Sequence, residues 1–253
     1  MIRDELTDDQ WARIEPFVPG GRKGKRGPRS DNRRFVNALI WMAKSGARWR
    51  DLPDRFGNFE TVKKRYDRWV EAGVLERLFE ALAAEADLEW VSVDSTTMKA
   101  QALAATARRK KGGPQANALG RSRGGLTTKV HVAADALGLP VRILVAPGHR
   151  GDVLQGHALI DGLAAGHVIA DMAYDADHFR DAIAAAGATA TVPSHPDRSR
   201  RVPCDWRVYR ERNLVERLMG SLEQFRRIAT RYDKLAANFR GFVLIAAVCL
   251  WFR

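Results

Sequence analysis

The chain has 253 residues, 45% of them hydrophobic, and carries 42 Lys and Arg against 30 Asp and Glu for a formal charge of +12. That length and apolar content support a buried core and exclude wholesale disorder. The cationic excess points to a polyanion, nucleic acid before anionic membrane, because the longest apolar run, Phe242 to Phe252, falls far short of the ~20 residues a spanning helix needs.

The first ten residues, MIRDELTDDQ, are polar and partly acidic, unlike a secretory leader. Cys204 and Cys249 are too few and too far apart for a disulfide framework or a structural zinc site. The expectation is a soluble cytoplasmic protein with no membrane role.

Residues 1–87 predict a small all-helical unit. Thr7 caps a helix with Asp8 and Asp9 in its first turn and Trp11, Ile14 and Phe17 as apolar positions, closed by Pro19-Gly20-Gly21. The stretch from Arg22 to Arg34 is dense in Arg and Lys, with Asp31 alone against them. It reads as an extended arm, either solvated or laid on phosphates. Ser30 or Asp31 then caps a helix through Phe35, Leu39, Ile40 and Met42 that stops at Gly46. Residues 49–57 connect it to a second, basic helix over 58–73. Helix, connection and basic helix suggest a helix-turn-helix, with Val62, Tyr66, Trp69 and Val70 inward and Lys63, Lys64, Arg65 and Arg68 toward a groove. A helical hairpin that carries a basic face by chance has the same pattern.

From residue 88 the period shortens to two. Glu89–Ala100 reads as a strand, followed by a basic loop over 100–124 and strands at 126–134 and 139–146 joined by a turn at Asp135–Gly138. A helix over 152–165, a strand ending at Asp171, a helix over 176–186, a strand at 188–193, one long helix from Tyr209 to Lys234 and an apolar helix over 238–253 complete the chain. Three strands, then helix, strand, helix, strand and long helix is the order of an α/β RNase H-like domain with a mixed sheet, here spanning 88–253. On the long helix, Leu214, Leu218, Leu222, Phe225 and Ala229 form the packing face. Tyr209, Arg212, Glu216, Glu223, Arg227 and Lys234 form the opposite stripe, which a solvated helix laced with ion pairs would also show.

Three carboxylates stand at suggestive places: Asp94 on the first strand, Asp171 at the end of the fourth, and Glu216 on the charged stripe. At 4 Å a pair of carboxylates repels by about 4 kcal/mol at an effective dielectric near 20. A divalent cation turns that cost into a binding site, and Mg²⁺ favours such oxygen ligands. Asp152 in PGHRGD reads first as a helix cap and second, with His149, as an aid to the site. Asp175 and Asp177 read as first-turn helix charges, His131 and His167 as structural, and nothing is spaced to activate Ser95 as a nucleophile.

The text VDSTT at Asp94, GRSRGGLTTKVH at 120–131, ADMAYD at Asp171 and RNLVERLMGSLEQFRRIATRYDK at 212–234 resembles the insertion-sequence-five family of bacterial DDE transposases. LTDDQWARIEPFVP and SGARWRDLPDRFGNFETVKKRYDRW resemble the helical unit that precedes such cores. The resemblance implies a catalytic triad of Asp94, Asp171 and Glu216 binding Mg²⁺, with Mn²⁺ as a substitute, and a Tyr-Arg-Glu signature at Tyr209, Arg212 and Glu216. It implies cleavage of element ends and transfer of the 3′-hydroxyl strand to target DNA, by a homodimer or larger assembly acting near the bacterial nucleoid. DNA contacts are then expected from Tyr209, Arg212, Arg227, Lys234, Lys129, Arg121 and Arg123, with Lys63, Lys64, Arg65 and Arg68 reading terminal inverted repeats. Two departures remove a cation each: Glu223 stands where the signature has Lys, and Met172 where Lys often follows the second Asp. Two other readings stay open: a weakened copy acting as a DNA-binding regulator, and an RNase H-like nuclease.

Overall fold

The computed structural model describes residues 5–20, 31–106, 117–122 and 125–252. Most of the basic arm from Arg22 and much of the basic loop, Arg123 included, lie outside the described residues.

Local chemistry sets the helical region. α1 (Asp8–Ile14) opens on a capping box in which Thr7 Oγ1 accepts from Gln10 N–H and the Gln10 side chain accepts from Thr7 N–H. α2 (Asn32–Ser45) is capped by Asp31 and ends at Gly46, whose φ of 66° is the left-handed turn that glycine makes without strain. Residues 46–58, with two 3₁₀ turns, lead to α3 (Phe59–Glu71), which is capped by Asn58. That connection is longer than the tight turn of a helix-turn-helix. Gly73 turns the chain into α4 (Val74–Ala83), a helix absent from the sequence reading although Val74, Leu75, Leu78, Phe79 and Leu82 are buried at helical spacing.

The remainder builds one mixed sheet. β1 (Trp90–Ala100) is central, antiparallel to β3 (Gly125–Ala134) and parallel to β5 (His167–Ala170), which pairs in parallel with β6 (Thr189–Thr191). β3 carries β4 (Pro140–Pro147) and the short β2 (Gly120–Ser122) on its other edge. The run β4-β3-β1-β5-β6, two antiparallel steps followed by parallel ones, is that of an RNase H-like sheet. α5 (Val153–Ile160) and α6 (Asp177–Ala185) follow β4 and β5; α5 is shorter than expected, closing at Ile160.

The stretch from Tyr209 to Lys234 is not one helix. It comprises α7 (Trp206–Tyr209), a 3₁₀ turn, α8 (Asn213–Glu223), α9 (Arg226–Ala229) and β7 (Thr230–Arg231), which pairs in parallel with Lys99 and Ala100 of β1. The break falls at Phe225, whose extended backbone (φ −80°, ψ 101°) drops its ring into the core. The cause is tertiary: Arg227 and Arg231 both turn inward. Arg231 is fully buried, donating to the carbonyls of Ala118, Asp233 and Lys234 and to Thr128 Oγ1. Such a fan of acceptors is what a buried guanidinium requires.

α10 (Ala236–Leu250) returns from the sheet to pack on α2, α3 and α4. One hydrophobic cluster therefore runs from the helical region through the sheet. No described helix is long and apolar enough to cross a membrane.

Candidate active site

The site grows from the way two strands separate. β1 and β5 are in register through Val93 and Ala170, so Asp94 and Asp171 leave the ladder side by side. Asp171 ends the pairing because its carboxylate accepts from Ala173 N–H at 3.0 Å and starts a 3₁₀ turn, Met172–Tyr174. β7 closes the same edge of β1 only at Lys99, leaving a gap beyond Asp94.

α8 lies across β1 and β3 on buried Val215, Leu218, Met219 and Leu222. Its start brings Arg212 and Glu216 to that gap. Arg212 Nη2 donates to Asp94 Oδ2 at 2.7 Å, and its Nη1 donates to Glu216 Oε1. Asp94 Oδ1 accepts from Ser95 N–H at 2.8 Å. One guanidinium thus bonds the carboxylates of β1 and α8, and the charge of Asp171 at the end of β5 also acts on it.

Electrostatics follow from this crowding. Burial pushes the Asp94 carboxyl above its ordinary value, opposed by Arg212 and aided by Asp171 and Glu216. Burial likewise raises Asp171, with Arg212 and the Ala173 N–H pulling it down. Burial draws the Arg212 guanidinium down, but Asp94, Tyr209, Glu216 and Asp171 together hold it above its usual value. Tyr209, half-buried with exposed Trp206 edge-on to it at 5.4 Å, is raised by burial and stays a neutral phenol. Among the described residues no three His, Cys, Asp or Glu side chains stand close enough to hold a metal ion. The donors are of the right kind, but Arg212 spans the space between them.

Other expected residues fall elsewhere. Arg227 is buried, clasping Asp233 at 2.9 and 3.2 Å and donating to the Ala47 carbonyl under Trp49 and Phe242. It is a structural tie between sheet and helices, and the stripe that grouped it with Glu216 dissolves with the helix break. Lys234 is exposed and follows β7 in the chain. Arg65 lies over the Phe35 and Trp69 rings and donates to Asn32, so it serves the helical core more than its surface. Lys63 pairs with Asp67 at 2.6 Å, while Lys64 and Arg68 are exposed. Arg121 is exposed on β2. Glu223 accepts from Thr96 Oγ1 at 2.8 Å, on the same face of β1 as Asp94.

Asp152 does not cap α5. It accepts instead from Ser95 Oγ at 2.6 Å and Lys129 Nζ at 2.7 Å, with buried His131 3.8 Å away. Burial holds His131 down to about 4, so it is neutral. Asp175 is no simple helix charge either: it is enclosed by Arg180, Arg198 and the His195 N–H. Tyr174, buried, has no hydrogen-bond partner for its hydroxyl. Neither Tyr174 nor Trp206 was singled out from sequence, since one looks like core and the other like loop.

Known proteins give the geometry a lineage. Residues 6–79 match a family described as a putative transposase of the IS4/5 family, and residues 86–252 match the transposase DDE domain. A putative transposase for insertion sequence element IS6501 from Brucella ovis is 48% identical over 130 residues, all of that protein and 51% of this chain. An uncharacterized protein y4sN from Sinorhizobium fredii is 61% identical over 45% of this chain and 90% of its own length. An uncharacterized 16.2 kDa protein of insertion element IS402 from Burkholderia cepacia is 33% identical over 40% of this chain and 76% of its own length. Among solved structures, a piggyBac transposase synaptic complex with hairpin DNA is similar at TM-score 0.41 and 11% identity, covering 78% of this chain, which spans 50% of that one. A Mos1 transposase paired-end complex is similar at TM-score 0.28 and 13% identity, covering 89% of this chain and 78% of that one. With an RNase H-like sheet, acidic residues converging where β1 and β5 part, and a family match across most of its length, the chain belongs to the DDE transposases.

Proposed function

We propose that this transposase cuts the ends of an insertion element and joins the freed 3′-hydroxyls to target DNA by divalent-metal-dependent phosphoryl transfer, with Mg²⁺ as the resident ion and Mn²⁺ as a substitute. The observation that carries this reading is the Arg212 bridge between Asp94 and Glu216 beside Asp171.

Asp94, Asp171 and Glu216 would hold the ion. Their oxygens suit Mg²⁺, and burial leaves Asp94 and Asp171 short of positive compensation even with Arg212 present, a deficit that a divalent cation relieves. Held there, the ion would supply Lewis-acid chemistry, activation of water or a 3′-hydroxyl and charge stabilisation at the leaving oxygen. Arg212 holds the carboxylates apart at rest and, with its planar donor fork, is suited to take a phosphate oxygen. Tyr209 offers a neutral phenol as a hydrogen-bond donor at the mouth of the site. The half-buried setting of Asp94 lowers the local dielectric, which strengthens each of these contacts.

The division at 87/88 into a DNA-recognition unit and a catalytic unit is part of this proposal. In it, Lys63, Lys64 and Arg68 face terminal inverted repeats, while Arg121 and Lys234 face other phosphates. Two ends must be held together, so the acting form is a homodimer or larger, working in the cytoplasm at the nucleoid.

The test uses a supercoiled plasmid carrying the element's ends, with Mg²⁺ or Mn²⁺. Wild type is expected to nick and join; Asp94→Ala is expected to fall to background. Equal cleavage by that variant would remove Asp94 from the mechanism. The Glu223–Thr96 contact, a carboxylate where a cation was expected, favours a second reading as a DNA-binding regulator. Binding of element ends without any cutting by wild type would select it.

A further inference from the structure

Asp152 occupies the cap position of α5, yet its carboxylate is turned away from the helix. A lost cap destabilises the helix it should close. In its place, Asp152 makes a half-buried pair with Lys129, whose Nζ also donates to the Arg150 carbonyl at 3.1 Å, and accepts from Ser95 Oγ. Burying such a pair is itself costly, so helix stability does not explain the arrangement.

Ser95 is the joint between this pair and the acidic centre. Its N–H donates to Asp94 and its hydroxyl to Asp152. Neighbouring residues of a strand face opposite ways, so Asp152 approaches β1 from the α5 side while Arg212 and Glu216 approach from the α8 side. α5 also packs on the turn Met172–Tyr174 that follows Asp171. The charges of Asp152 and Lys129 both reach the Asp171 carboxyl, with opposite signs. The unpartnered Tyr174 hydroxyl lies within reach of the charges of Asp152, Asp94 and Asp171. Neutral His131 adds no charge here.

We propose that Asp152 is a positioning residue of the acidic centre: paired with Lys129 and joined to Asp94 through Ser95, it sets the charge that the centre presents to a divalent ion. This rests on the reading that Asp94, Asp171 and Glu216 hold such an ion. Asp152→Asn leaves the Lys129 cation uncompensated beside Asp171, which repels the ion. Lys129→Met leaves the Asp152 anion uncompensated, which attracts it. The two variants therefore act in opposite directions, whereas a purely mechanical brace fails the same way from either side.

The experiment is a Mn²⁺ titration of the full chain without DNA, with free Mn²⁺ followed by electron paramagnetic resonance and folding checked by circular dichroism. Asp152→Asn is expected to weaken Mn²⁺ about tenfold and Lys129→Met to tighten it about tenfold, with the double variant near wild type. Weakening by both, or no effect of either, overturns the proposal. If Asp152→Asn does not fold, Lys129→Met decides: tighter binding supports it, and weaker or equal binding overturns it. Asp171→Asn separates the two levels. If it binds Mn²⁺ like wild type, or wild type binds none, the ion-holding reading fails and this one with it. If Asp171→Asn loses the ion while Asp152 and Lys129 variants match wild type, only the positioning role fails.

Discussion

Arg212 donates to Asp94 at 2.7 Å and, from the same guanidinium, to Glu216, so one cation spans two carboxylates and feels the charge of Asp171 as well, while its Nε stays unpartnered. In the proposed mechanism that cation stands where the charge of a divalent ion would act. Arg212→Gln should therefore free both carboxylates and tighten Mn²⁺ binding by about tenfold. It should lower strand joining at the same time, because the phosphate donor is gone. Isothermal titration with Mn²⁺ beside a joining assay reads both. Weaker Mn²⁺ binding would mean that Arg212 orders the carboxylates and does not compete for them.

The raised Asp94 and Asp171 carboxyls have a consequence for stability. The folded chain holds these protons more tightly than the unfolded chain does. Their contribution therefore favours folding below the unfolded carboxyl pKa and is lost as pH rises through the raised folded values. At neutral pH both groups oppose folding. Asp171→Asn should raise the melting temperature at pH 7 by roughly 2–4 °C and leave it unchanged near pH 3. Mg²⁺ should stabilise wild type and not this variant. Melts across that pH range, with and without Mg²⁺, check the sign.

The Arg227–Asp233 pair calls for the opposite kind of outcome. Both side chains are buried and doubly bonded. Breaking such a pair from one side leaves an uncompensated charge and costs about 3–5 kcal/mol. Arg227→Gln should fail in urea unfolding and, where folded, keep wild-type salt dependence of DNA binding. A variant that melts normally but binds DNA weakly would return Arg227 to the phosphate contacts.

Lys64 and Arg68 are exposed on α3. Replacing either with Ala should weaken DNA binding and lower the slope of log affinity against log salt by about one per lost phosphate contact. Mn²⁺ affinity should not move. An unchanged slope would take α3 off the DNA.

Much of the local structure was legible because short-range chemistry governs it. Thr7, Asp31 and Asn58 cap helices, Gly46 and Gly73 turn the chain, and β1, β3, β4, β5 and β6 fall near the expected residues. The positions of Asp94 on β1 and of Asp171 just past β5 were legible from the strand pattern, and that of Glu216 from the charged stripe of a helix. The stretch from Tyr209 to Lys234 was misread because its spacing is helical throughout. Nothing local reveals that the backbone turns extended at Phe225 or that Arg227 and Arg231 find acceptors on Ala47, Ala118 and Thr128, all distant in the chain. Asp152 was misread for a similar reason, since a carboxylate before a helix has a local use and its real partners lie on two other strands.

By itself the sequence determined the helix caps at Thr7, Asp31 and Asn58 and the strands that carry or precede Asp94 and Asp171, because capping, periodicity and β-branching act within a few residues. Only the tertiary structure decided which charges are spent on one another. Arg227 went to Asp233, Lys129 to Asp152, and Arg212 to both Asp94 and Glu216. Buried charges must find partners across the fold, and sheet register and the break at Phe225 determine which partners are within reach.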